Sequence, residues 1–407
     1  MTAPHSMIQP INPATGAAME PVACTSEAEI SEIVGRAHKA QSAWAAKSVE
    51  QRGKHLEAFV AQLESSGESL AQLISGEMGK PIREARGEIR NLGPRVAAYI
   101  KRATEACAAE NNQDGRVRVS VRWRPLGVVA VIGPWNYPVA TPANLLFSAL
   151  ITGNAVVFKP SEYTPKTGAL LHKLLADALP EGVLGLVQGA GAQGAALVAS
   201  DVDMVAFTGS IATGQAIMRT AAASMKRLVL ELGGKDPMIV LPGADMEAAA
   251  THAARESVRN AGQVCVAVER LLVHRDIAPA FTQRVAEIVR GLTVGDPGDE
   301  ATDMGPMVSA RQREQVLAQI ADARSRGATV VVDGQATGPG SYLHPSVLAG
   351  ITEDMDIARH ETFGPVVAIQ EVDSGEHALE LANASIYGLG ASIWGAPGPE
   401  LDALADR

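Results

Sequence analysis

The sequence predicts an α/β fold in two units, with a short strand segment set apart from both. Three patterns carry that expectation. From residue 127, short apolar runs ending in Gly or Pro alternate with helix-length stretches, as in a parallel sheet covered on both faces. A second series of the same kind begins near Asp236. Between the helical first hundred residues and the first series lies a segment of strict two-residue period, RVRVSVRWRP at 116–125.

In chain order, Ser26 and Glu29 have the spacing of a capping box. Ile30, Ile33, Val34, Ala37 and Trp44 then recur on one helical face. A second helix is expected over 51–74, ended by EMGKP at 77–81. In RVRVSVRWRP, Val117, Val119, Val121 and Trp123 alternate with arginines, which predicts a strand with one buried and one wet face. The arginines read as a solvated or partner-facing side rather than a nucleic-acid patch, and the valines need cover, for which another subunit is suited. GVVAVIGP, NAVVFKP, GLVQG, MVAFTGS and RLVLELGG supply the first sheet. PMIVL, a helix through 261, RLLVH, a further helix, ATVVVDG and PVVAIQEV supply the second.

A chain of 407 residues exceeds one ordinary core, so two or three domains are expected. A net charge of −10 argues against nucleic acid or an anionic membrane as partner. The first residues lack the basic-then-apolar pattern of a signal peptide, and no apolar run of membrane-spanning length occurs. The three cysteines are too widely spaced for a disulfide framework or a zinc site, and no metal is expected. A reducing cytoplasm fits, and there a free thiol stays available.

Taken alone, Cys265 in NAGQVCVAVER reads as an inert buried thiol. Gly189, Gly191 and Gly194 form a literal G-x-G-x-x-G, but no acidic residue follows about 20 positions on, as a dinucleotide fingerprint requires. FTGS at 207–210 ends a strand and opens a helix, where Ser210 suits either a simple cap or an anion contact. Lys159 and Glu162 in KPSE also end a strand, the edge at which open α/β sheets bind ligands. They suit a ribose diol, or equally a surface ion pair.

IGPWNYP at 132–138, KPSE at 159–162, FTGS at 207–210, LELGGK at 230–235, AGQVC at 261–265 and ETFGP at 361–365 occur in one order along the chain. With these six motifs, nearly the whole chain resembles the aldehyde dehydrogenase superfamily. The resemblance implies a Rossmann-like cofactor domain over 1–112 and 127–234, an oligomerisation β-arm over 113–126, and an α/β catalytic domain over 235–407. It implies a homo-oligomer, with an aldehyde as substrate and NAD as cofactor, NADP being a second candidate. By motif, Cys265 resembles the nucleophile, Asn136 the side-chain donor to the oxyanion and Glu231 the general base. Glu361 and Phe363 resemble the nicotinamide-ribose and nicotinamide contacts. Trp135, Lys159, Glu162, Gly209 and Ser210 resemble the remaining cofactor contacts. The family holds its dinucleotide at the FTGS strand end, so the resemblance sets Gly189, Gly191 and Gly194 aside.

Such chemistry needs these residue types. An aldehyde releases hydride only after a nucleophile makes its carbon tetrahedral, and a thiolate does this. The resulting oxyanion needs aimed donors, and the later thioester needs a base to activate water. Glu231 favours water over coenzyme A, so a CoA-acylating enzyme is the alternative reading. Family members that take succinic semialdehyde carry an Arg at the position of Asn144. Its absence, together with Tyr137, Leu145, Val264 and Val266, predicts an apolar aliphatic or aromatic aldehyde. Family members also continue for several dozen residues beyond the position of Arg407. The expectation is therefore that the C-terminal part of the catalytic domain is missing, with lower stability and altered assembly. An inactive member with a binding or structural role is then a further alternative.

Overall fold

The computed structural model describes residues 6–407, which form two compact units. The first comprises 6–11, 18–77 and 83–231; the second comprises 12–17, 78–82 and 232–407.

The first unit is built on a five-stranded parallel sheet. Its order is Leu184–Leu186, Ala155–Lys159, Val128–Ile132, Met204–Thr208, Arg227–Glu231. Val128–Ile132 and Ala155–Lys159 are buried at every position, which is why they read as continuous apolar runs without alternation. The edge strand Arg227–Glu231 is half-exposed. The chain starts at the central strand 128–132, runs outward to one side, then returns to its other side at 204–208. That reversal opens a crevice at the carboxyl ends of these two strands.

The helix Glu27–Ala45 starts with the expected capping box: Glu29 N–H donates to Ser26 Oγ (3.3 Å) and Ser26 N–H to Glu29 Oε2 (2.7 Å). It buries Ile30, Val34, Ala37 and Trp44, while Ile33 is half-buried. The next helix, Val49–Met78, starts before the expected 51 and runs one turn past the expected 74. Its last turn is held by the buried Glu77, which accepts from the N–H groups of Lys166 (2.9 Å) and Thr167 (2.8 Å).

Val117–Val121 is a strand, paired antiparallel with Glu110–Asp114. The partner ENNQD carries little strand propensity; the turn at Gly115, at φ +55°, folds it back. Among the described residues, nothing covers the expected buried face. Val117 and Trp123 are 61% and 60% exposed, because a two-stranded ribbon has no layer of its own to cover it.

The second unit has a six-stranded sheet ordered Thr329–Val332, Ser346–Ala349, Val366–Val372, Val268–His274, Asp236–Val240, Ser392–Trp394. All neighbours are parallel except the first pair. Ser346–Ala349 and Ser392–Trp394 were not legible in the sequence: they are short and flanked by Pro or Gly. The helices Met246–Val258 and Ala278–Arg290 cover the sheet through an apolar face that includes four fully buried alanines, Ala249, Ala250, Ala253 and Ala254. Small side chains let the helix backbone approach closely. The first of these helices stops three residues before the expected 261.

Candidate active site and cofactor cavity

In the first unit, the crevice is a cavity of about 400 Å³ at the carboxyl ends of the central strands. It is lined by Trp135, Lys159, Glu162, Gly209 and Ser210 together, five of the sequence-predicted cofactor contacts from three separate strand ends. Gly191 and Gly194 line the same cavity, so the segment set aside at the sequence level lies beside the favoured one. Gly209 is required by shape, since a methyl there would lie 2.4 Å from the Phe207 ring. Ser210 caps the helix Ile211–Ala222, accepting from Thr213 N–H at 3.3 Å. Lys159 is buried rather than a surface ion-pair partner, and its Nζ donates to the Pro160 carbonyl at 2.9 Å. Burial pulls its pKa down, opposed by the charge of Glu162. Glu162 is half-buried, with Ser161 Oγ donating to it at 3.4 Å.

These residues fit the adenosine half of a dinucleotide. A half-buried carboxylate stands ready for ribose hydroxyls, a helix N-terminus opens onto the cavity, and Thr208 Oγ1, also on the lining, is buried with no partner. Such an orphaned hydroxyl is costly unless a ligand or water answers it.

Asn136 is buried in the turn between Val128–Ile132 and the helix Ala140–Ile151. That turn is anchored by Glu88, a buried carboxylate that the sequence did not single out. It accepts from the N–H groups of Val139 (2.9 Å) and Ala140 (2.7 Å), the helix start. Arg95 Nη1 donates to the Ala140 carbonyl (3.2 Å) and to Asn144 Oδ1 (2.9 Å). A guanidinium therefore stands at residue 144 although residue 144 is not an arginine. Tyr137 and Leu145 are half-buried. Glu231 ends the edge strand with its side chain exposed, and its carbonyl accepts from Gly209 N–H at 3.0 Å.

In the second unit, Cys265 follows an unusual backbone. Asn260, Ala261 and Gly262 have φ of 52°, 56° and 70°, a left-handed run that non-glycine residues avoid. The buried Gln263 holds it, donating to the Asn260 carbonyl (2.9 Å) and accepting from Val308 N–H (2.8 Å). Such strain persists only where surroundings enforce it, and it clusters at functional sites. Gly262 packs on the ETFGP loop: a methyl there would be 2.0 Å from the Gly364 carbonyl oxygen. The two glycines of LELGGK have separate reasons. A methyl at Gly233 would strike the Glu361 carboxylate (2.5 Å), and one at Gly234 the Cys265 carbonyl oxygen (2.4 Å).

The Cys265 thiol is half-buried while Val264 is buried and Val266 is 46% exposed. Burial pushes the thiol pKa up, hydrogen bonds from the Cys265 and Val266 N–H groups oppose this, and the carboxylates of Asp236 and Glu361 add to the rise. Glu361 is itself pushed up to about 7, first by burial and then by the charge of Glu269. Gly234 N–H donates to its Oε1 at 3.0 Å. Phe363 sits at φ +49°.

The strained cysteine loop is thus keyed to glycines of LELGGK and ETFGP, so three of the six motifs meet in space. The aldehyde dehydrogenase family model matches residues 1–407. The chain belongs to the aldehyde dehydrogenase family. Among curated relatives, a betaine aldehyde dehydrogenase of Cereibacter sphaeroides is 38% identical over 94% of this chain and 80% of its own length. A Mycolicibacterium smegmatis protein provisionally named as an NADP(+) succinate-semialdehyde dehydrogenase is 36% identical over 96% of this chain and 77% of its own. The crystal structure of an NAD-dependent aldehyde dehydrogenase from Sinorhizobium meliloti superposes with a TM-score of 0.95 at 35% identity, covering 99% of this chain and 82% of that one. Aldehyde dehydrogenases of this family are NAD(P)-dependent oxidoreductases. Among the described residues, no helix is long and apolar enough to cross a membrane.

Proposed function

We propose that this aldehyde dehydrogenase oxidises an aldehyde to its acid through a covalent bond to Cys265. The observation that carries the proposal is the enforced left-handed run at 260–262, which presents a half-buried thiol beside the N–H groups of Cys265 and Val266. In this reading the thiolate adds to the carbonyl carbon, giving a tetrahedral thiohemiacetal. Asn136 and the Cys265 backbone N–H donate to its oxyanion; loss of one such donor costs about 10²–10³ in rate. When bound, NAD would supply the hydride acceptor. With hydride lost from the carbon, the oxyanion collapses to a thioester, and Glu231 takes a proton from water as that water attacks. The acid leaves and the thiolate is restored. Glu361 and Phe363 would hold the nicotinamide ribose and nicotinamide. Trp135, Lys159, Glu162, Gly209 and Ser210 hold the rest, and Glu162 favours NAD over NADP because a 2′-phosphate would meet like charge.

An apolar aldehyde is the first substrate reading, supported by Tyr137, Leu145 and Val266. The Arg95 guanidinium on Asn144 favours a second: an aldehyde with an anionic far end. The exposed Val117, Val119, Val121 and Trp123 support a subunit-joining arm, and a cytoplasmic location would keep the thiol reduced.

The test follows NADH formation over a panel of apolar, cationic and carboxylate-bearing aldehydes, with and without coenzyme A. Turnover should depend on Cys265 and not on CoA. NADH formation that survives Cys265→Ser would remove the mechanism. Preference for the carboxylate-bearing aldehyde, abolished by Arg95→Met, would select the second substrate reading.

A further inference from the structure

Lys235 and Glu269 form an ion pair in the interior of the second unit. Nζ lies 2.7 Å from Oε2, and the side chains are 0% and 6% exposed. Neither residue has a role in the chemistry above. A buried pair of this kind is weak evidence for stability, because desolvating both charges offsets their attraction. What the pair holds is more informative.

Glu269 lies at the start of Val268–His274, four residues beyond Cys265. Along the neighbouring strand, Asp236 pairs with Val268 and Pro237 with Arg270, so Glu269 is the extra residue of a bulge. Bulges re-aim a side chain, often beside active sites. Here the carboxylate spends both oxygens on the ETFGP loop. Oε2 accepts from Thr362 N–H (2.7 Å) and Oε1 from Phe363 N–H (2.9 Å). Lys235 Nζ donates to Thr362 Oγ1 at 2.9 Å. Residues 362 and 363 are thus tied to one buried pair at the point where Phe363 takes a left-handed conformation. The preceding residue, Glu361, is bonded to Gly234, next to Lys235.

We propose that Glu269 and Lys235 are positioning residues that hold the 361–363 loop in its cofactor-binding conformation. The pair acts through Glu361 and Phe363 and does not itself touch the reacting atoms. Its two members flank Cys265 in sequence, so one bulged strand start sets the cysteine segment and the cofactor loop together. Charge is needed because two backbone N–H groups and one hydroxyl converge on it, and charge-assisted bonds fix such a loop more strongly than neutral ones. The proposal rests on the reading of Glu361 and Phe363 as cofactor contacts.

Four variants separate these roles: Glu269→Ala, the neutral apolar pair Lys235→Met with Glu269→Leu, Glu361→Gln, and Phe363→Ala. For each, the NADH dissociation constant is measured by fluorescence titration, the KM for NAD and for aldehyde by kinetics, and unfolding by thermal melt. Glu269→Ala should lower the melting temperature and weaken NADH binding by about tenfold or more, the scale of loss when a supporting contact lets a site shift. The apolar pair should recover the melting temperature but not the NADH affinity, and should raise KM for NAD more than KM for aldehyde. A recovered melt together with wild-type NADH affinity would show a purely structural pair and overturn the proposal. If Glu361→Gln and Phe363→Ala also leave NADH binding unchanged, the reading of the loop as a cofactor contact fails instead.

Discussion

A methyl group placed at Gly234 would lie 2.4 Å from the carbonyl oxygen of Cys265. Real side-chain atoms do not approach a backbone oxygen so closely, so Gly234→Ala must displace the cysteine segment. The expected result is a fall in kcat of about a hundredfold with the fold retained, because a shift of about 1 Å at the reacting group has that scale of effect. NADH formation and a thermal melt measure the two parts. An unchanged kcat would show that the segment gives way harmlessly.

Cys265 is expected to alkylate slowly at neutral pH in the enzyme without cofactor. Burial raises its pKa first, and the carboxylates of Asp236 and Glu361 add to the rise. The rate of iodoacetamide labelling against pH should have its midpoint above the ordinary free-thiol value of about 8.5. Glu361→Gln removes a negative neighbour and should move that midpoint down. A wild-type midpoint near neutrality would contradict this account of the thiol.

Gly209→Ala should abolish tight NADH binding, since the methyl would meet the Phe207 ring at 2.4 Å and force the cavity wall to move. Gly35→Ala is the control, because nothing lies within 4 Å of a methyl at that helical position. There the substitution should raise stability by roughly 0.5–1 kcal/mol through helix propensity. NADH titration and denaturant unfolding distinguish the two.

Stability should carry a pH signature from two raised carboxylates. Glu361 titrates at about 7 against an ordinary 4.5, and Asp236 at about 6 against 3.8. Between the ordinary and raised values the folded chain binds more protons than the unfolded one. The slope of stability with pH from these groups is therefore negative, and their contribution is lost as pH rises through about 4 to 7. Against wild type, Glu361→Gln should show a flatter decline in melting temperature between about pH 5 and pH 8. Parallel curves would show that Glu361 titrates alike in both states.

Replacing Glu162 by Ala should narrow the preference for NAD over NADP, measured as the ratio of kcat/KM values. A wild-type enzyme equally efficient with both cofactors would sink the assignment of Glu162 to the ribose hydroxyls.

Much of the fold was legible because its signals are local. The Ser26–Glu29 box needs four residues, and fully buried strands such as Val128–Ile132 show as unbroken apolar runs. Pairings imposed from a distance were not legible. Glu110–Asp114 is a strand only because it meets Val117–Val121, and Ser392–Trp394 only because it meets Asp236–Val240. The candidate cofactor residues were legible as motifs, yet the presence of Gly191 and Gly194 in the same cavity was not. Glu88 and Glu269 were missed for one reason. Each carboxylate serves backbone N–H groups more than 50 residues away, and a lone Glu carries no mark of that in sequence. A glutamate at the head of the buried strand VERLLVH was the one available signal for Glu269.

By itself, the amino-acid sequence determined the α/β architecture and named the candidate reactive groups. Periodicity, turn residues and motif order are all written along the chain. Only the tertiary structure decided how Cys265 is presented, why Gly233 and Gly234 lack side chains, and what the Lys235–Glu269 pair holds. Those depend on distances between segments remote in sequence, and packing alone sets such distances.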